Sequence, residues 1–141
     1  MSISKYNAER YYDPTAYEAM TTIEKEERAL RAFRPIVYIC SPYAGDIQRN
    51  ATNARKYSRF AYEQNAIPVT PHLLYPQFMS DNDSEERADA MYFNCVLLGK
   101  CSELWVFGDV VTKGMAHEID VAKKRKQTIR WFNKKCEEVS R

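Results

Sequence analysis

Residues 103–122, ELWVFGDVVTKGMAHEIDVA, restrict the possible folds more than any other stretch of the chain. Leu104, Trp105, Val106 and Phe107 form an unbroken apolar run, as expected of a strand covered on both faces. Gly108 and Asp109 end it. From Gly114 the pattern becomes helical, with Met115, Ile119 and Ala122 on one stripe at spacings of four and three. Glu118 lies beside that stripe, in the first turn or just past it. A helix start carries unpaired N–H groups and a partial positive charge, so a carboxylate there is expected to stay ionised at neutral pH. It can then act as a nucleophile or stabilise a cation. The plainer reading is a Glu that only complements the helix dipole.

The rest of the chain repeats this strand-then-helix unit. Ile36–Cys40, IVYIC, reads as the first strand, followed by the turn sequence Ser41-Pro42-Tyr43-Ala44-Gly45-Asp46. Asp46 caps a helix expected to run to about Asn65, with Ile47, Ala51, Ala54, Ser58 and Ala61 on its core stripe. Ala66–Thr70 reads as a second strand, placed near an edge by Pro68. An apolar, proline-bounded loop follows over residues 71–79. A helix is expected over Ser84–Lys100, with Ala88, Met91, Cys95 and Leu98 inward. Thr128–Phe132 gives a last strand, and Asn133–Arg141 a charged tail. Before the first strand, residues 1–13 read as an arm and Thr15–Phe33 as a helix ended by Pro35.

Strands alternating with helices imply right-handed crossovers. The expected fold is α/β: a three-layer α/β/α domain over residues 35–141, with a parallel four- to five-stranded Rossmann- or flavodoxin-like sheet. An N-terminal arm and helix over residues 1–34 precede it. In such folds ligands bind at the carboxyl ends of the strands. That rule selects three loops, residues 41–46, 70–78 and 108–114, which bring Ser41, Tyr43, His72, Asp109 and Lys113 toward one cleft with Glu118 at its rim.

Composition narrows the partners. A net charge of +2 with scattered basic residues gives no electrostatic footprint for a nucleic-acid polymer, and Lys123–Lys126 is placed at a helix end that favours positive charge. No apolar run reaches the roughly 18 residues of a membrane helix, and the N-terminus has no signal-peptide core, so a cytoplasmic protein is expected. The four cysteines form no C-x-x-C pair and there are two histidines, so neither a metal site nor a cofactor is expected.

VYICSPYAGD and WVFGDVVTKGMAHEIDVAKK together resemble the nucleoside 2-deoxyribosyltransferase-like family, in particular a small branch found in bacteria and phages, over about residues 35–132. The resemblance implies that Glu118 attacks the anomeric carbon of a 2′-deoxyribonucleoside or its 5′-monophosphate. It implies backbone contacts from Ser41 to Gly45, and N–H groups offered to a phosphate or sugar oxygen by Gly114 and Met115. An Asp that helps protonate the leaving base in the family is replaced here by Asn94, or by Cys95 in a slipped register. The acidic position six before the nucleophile is Thr112, for which Asp109 is a substitute from elsewhere in the loop.

The candidate catalytic set is therefore Glu118, Asn94 and Asp109. The candidate substrate-binding set is Ser41, Tyr43, Gly45, His72, Gly108, Gly114 and Met115. His72 fits a ligand phosphate or a structural loop histidine, and Tyr75 and Phe78 fit stacking on a base or packing of a lid. The expected partner is a small nucleoside or nucleotide, in a homo-oligomer. Two functions stay open: glycosidic cleavage or deoxyribosyl transfer, and binding or sequestration of a nucleotide-derived molecule without turnover.

Overall fold

The computed structural model of the protein describes residues 21–27 and 34–141. The chain divides into two units, residues 1–34 and 35–141. In the first, residues 21–27 are helical and are labelled α1. The arm expected over residues 1–13 and the remainder of the Thr15–Phe33 helix lie outside the described residues.

The second unit runs β1 (Ile36–Cys40), α2 (Ile47–Glu63), β2 (Ile67–Val69), α3 (Pro71–Leu74), a 3-10 turn (Tyr75–Gln77) and α4 (Ser84–Lys100). It continues through β3 (Glu103–Phe107), α5 (Lys113–Lys124), β4 (Thr128–Phe132) and β5 (Glu138–Val139). The sheet order is β2-β1-β3-β4-β5. The first four strands are parallel, with Tyr38 opposite Val69 on one side and Leu104 on the other. From β1 the chain steps outward to β2, then crosses back to β3. The connections leaving β1 and β3 therefore diverge and open a crevice at the carboxyl edge of the sheet.

Strand periodicity divides the core between the two sheet faces. Val37 and Ile39 of β1 join Trp105, Phe107, Tyr57 and Ala61 beneath α2. Tyr38 and Cys40 join Leu104, Val106, Leu98, Met115, Ile119 and Ala122 beneath α4 and α5. All four residues of the LWVF run are buried, as a strand covered on both faces requires. The α2 cap is Asp46, whose carboxylate accepts the Arg49 N–H at 3.1 Å.

Four expectations need correction. In α2 the inward face includes Tyr57, which stacks on Phe107 at 4.4 Å, while Ile47 is exposed. Small residues alone do not fill the space over β3, so an aromatic ring does. The loop over residues 71–79 is largely helical, because Pro71 starts α3 and Pro76 suits the following 3-10 turn. In α4 only Leu98 of the expected stripe is fully buried; Arg87, Ala90, Met91 and Asn94 face a cavity. The amino-terminal half of this helix borders the crevice instead of the sheet, so its inward side is polar as well as apolar. The charged tail contains β5, antiparallel to β4 and held by paired Arg130–Glu138 bonds of 2.8 and 2.9 Å. Two strand residues are too few to give a periodic signal. The sheet is thus mixed at that edge.

Among the described residues no helix is long and apolar enough to cross a membrane, and no cluster of side chains suits a metal ion. All four cysteines are free.

Candidate active site

The three loops selected by the strand-end rule border one pocket of about 470 Å³. Ser41, Tyr43 and Ala44 enter it from the end of β1, and Pro71, His72 and Tyr75 from the end of β2. Thr112, Lys113, Gly114, Met115 and Glu118 close it from the start of α5. Met91 and Asn94 of α4 form another wall. A 2.6 Å hydrogen bond between Ser58 and Thr70 ties the β2 loop to α2.

Glu118 is 5% exposed and belongs to the buried side of α5 with Met115, Ile119 and Ala122. It lies in the second turn, beyond the free N–H groups of the helix start. Desolvation therefore outweighs the dipole, and the expected low pKa is corrected: burial pushes the carboxyl from 4.5 up to about 7. Tyr38 and Cys40 oppose this shift as hydrogen-bond donors. Burial and the Glu118 charge raise the pKa of both groups well above the ordinary range, so both stay protonated and can only donate to the carboxylate. Tyr38 Oη and Glu118 Oε2 each lack a partner of good hydrogen-bond geometry, so the carboxylate retains capacity for a ligand.

Tyr38→Phe removes one of these donors while keeping the ring. The Glu118 titration, followed by carboxyl carbon NMR, is expected to move upward by roughly one unit. An unchanged midpoint would show that the hydroxyl does not act on the carboxylate.

Three more pocket side chains carry buried polar atoms without a protein partner: Ser41 Oγ, His72 Nε2 and Asn94 Oδ1. His72 stacks on Tyr43 with ring centres 5.5 Å apart. Desolvation lowers its pKa, partly offset by the nearby Ser41 backbone, so the ring is neutral. Asn94, not Cys95, lines the pocket; Cys95 Sγ lies 3.5 Å from His117 Nε2. Gly114 and Met115 line it too, but the Met115 N–H is already taken by the Thr112 hydroxyl at 3.3 Å.

Three expected residues are not among those lining the pocket. Asp109 is exposed, its carboxylate 4.0 Å from the Lys134 ammonium. Gly108, at φ +100°, ends β3, and Gly45, at φ +97°, shapes the turn before α2; at such φ a side chain would be strained. Tyr75 borders the pocket, whereas Phe78 packs edge-on against it at 5.9 Å and is mostly exposed. Sequence reasoning missed Tyr38 and Cys40, although the two-residue period of IVYIC places them on one face. It also missed Asp81, Glu86, Arg87 and His117 in the lining, which no local pattern marks.

The model of a family described as a domain of unknown function, DUF7768, matches residues 35–132. No curated protein has detectable sequence similarity to the chain. Among solved structures, a 2-deoxyribosyltransferase from the psychrotolerant bacterium Bacillus psychrosaccharolyticus is similar, with a TM-score of 0.59 and 13% identity over 74% of this chain and 76% of that one. At that identity the likeness establishes a common fold, the one expected from the sequence.

Proposed function

The chain belongs to the DUF7768 family, whose match spans the entire crevice, and we propose that this crevice is an active site that cleaves the N-glycosidic bond of a nucleoside or nucleotide. The observation that carries the reading is Glu118: a buried carboxylate with an unpartnered oxygen, at the end of a pocket whose other orphaned polar atoms belong to Ser41, His72 and Asn94. The fold shared with a 2-deoxyribosyltransferase supports the same class of ligand.

The Glu118 carboxylate attacks C1′ of the sugar. The C1′–N bond breaks with its electron pair passing to the base, and a C1′–O bond to Glu118 forms. Water, or a second base, then displaces the carboxylate from C1′. Tyr38 and Cys40, protonated donors behind Glu118, steady the carboxylate as it leaves. Asn94 holds the base edge through its amide and supplies no proton. The departing base must therefore take its proton from solvent or leave as a stabilised anion.

Incubation with a panel of deoxynucleosides and their 5′-monophosphates, followed by chromatography for free base, is expected to show release from at least one at pH 8. Release from none would defeat the catalytic reading. A second reading, retention of a nucleotide-derived molecule without turnover, is favoured by the amide at Asn94. Recovery of bound ligand unaltered from the wild-type protein would support it.

The homo-oligomer is part of the same proposal. It is supported by the exposed apolar side chains Met91, Tyr92, Phe93 and Val96 on α4. Sedimentation as a monomer at micromolar concentration would contradict it.

A further inference from the structure

We infer that Asn50 is a positioning residue: from behind the pocket it holds the Tyr43–His72 wall in place and so sets how tightly the substrate is bound. Asn50 is not itself among the residues lining the pocket. The inference rests on the proposed reaction at this crevice and adds a residue that acts on its binding step.

Asn50 lies one turn into α2. Its amide nitrogen donates to two carbonyls of the loop between β1 and α2, that of Tyr43 at 3.0 Å and that of Ala44 at 2.9 Å. Both partners are acceptors, so the nitrogen of the amide, not its oxygen, must face them. Residues 42–45 take no part in the turn and loop backbone bonds of the described residues. Gly45, at φ +97°, bends the chain between them and the Asp46 cap. The side chain of Asn50 is therefore the tie between this loop and the body of α2.

The loop carries part of the pocket. Tyr43 and Ala44 line it, and the Tyr43 ring stacks on His72 with 27° between planes. His72 is held from the same helix by a second route. Ser58 of α2 shares a 2.6 Å hydrogen bond with the Thr70 hydroxyl, and Thr70 caps α3, which carries His72. Thus α2 grips both members of the stack, one through each loop. Without the Asn50 donors the Tyr43 side is free to shift, and binding must then order it at a cost in conformational entropy. Glu118 stands on α5 with Tyr38 and Cys40 as its donors, so the reacting group is left as it was.

The test is steady-state base release from the deoxynucleoside and 5′-monophosphate panel by the wild-type protein, Asn50→Ala and Asn50→Asp. Asn50→Ala removes both donors and is expected to raise KM about 3- to 10-fold with kcat nearly unchanged. Asn50→Asp sets a carboxylate against two carbonyls and is expected to raise KM at least about 10-fold. Ala is the better helix former, so Asn50→Ala is expected to melt close to the wild type. A purely structural role would instead lower the melting temperature and leave KM alone. The chain has two histidines, so the His72 ring signals can be followed by NMR. In Asn50→Asp they are expected to move as the Tyr43 ring shifts away. Unchanged His72 signals in Asn50→Asp, an unchanged KM in both variants, or a loss confined to kcat overturns the inference and leaves the proposed reaction standing. No base release by the wild-type protein overturns both.

Discussion

Glu118→Gln is expected to abolish base release, by at least about 10³-fold, while making the protein more stable at alkaline pH. The two effects have one cause. The folded protein raises the Glu118 carboxyl from 4.5 to about 7, so the protonated form favours folding. That contribution is fully present below pH 4.5 and is lost as the pH rises through about 7. Above pH 7 the wild-type protein holds a buried anion, which Gln replaces with a neutral group of similar shape. The difference corresponds to about 3 kcal/mol. Melting curves of the two proteins are expected to agree near pH 4 and to separate by roughly 10 °C at pH 8.5, with Gln higher. Glu118→Gln melting no higher at pH 8.5 would mean that the carboxylate is not destabilised by burial.

Phe107→Ala is expected to cost about 4 kcal/mol, a large share of the stability of a domain this size. Phe107 is fully buried at the carboxyl end of β3, between Tyr57 at 4.4 Å and Phe132 at 4.9 Å. Phe60 meets its ring edge-on at 6.1 Å. Removing it leaves a cavity bounded by three rings that cannot collapse without moving α2. Urea unfolding is the appropriate measurement, with Phe107→Leu as a milder comparison. A loss below about 1 kcal/mol for Ala would show that the aromatic stack does not join α2 to the sheet.

The elements that sequence located well are those with a strong period or a cap. β1, α4, β3 and β4 begin and end where the apolar runs and the polar breaks place them. The two-sided burial of β3 follows directly from LWVF. The carboxyl-edge rule also led to the pocket without any long-range information, because it depends only on element order. What sequence could not convey was depth. Glu118 reads as a helix-start residue by position, yet its environment is set by Tyr38 and Cys40, some 80 residues away along the chain. Asp109 and His72 look equally available in their loops. Only the fold turns Asp109 outward to Lys134 and holds His72 against Tyr43. The α4 stripe misled because amphipathic spacing does not distinguish a face packed on a sheet from one that lines a cavity.

The most direct test of Glu118 as the attacking group is intact-mass spectrometry of protein quenched in acid during turnover of a deoxynucleoside. A species heavier by one deoxyribosyl group in place of a proton is expected, with peptide mapping locating it on Glu118 and no such species in Glu118→Gln. Base release by Glu118→Gln at the wild-type rate, or an adduct on any other residue, would contradict it.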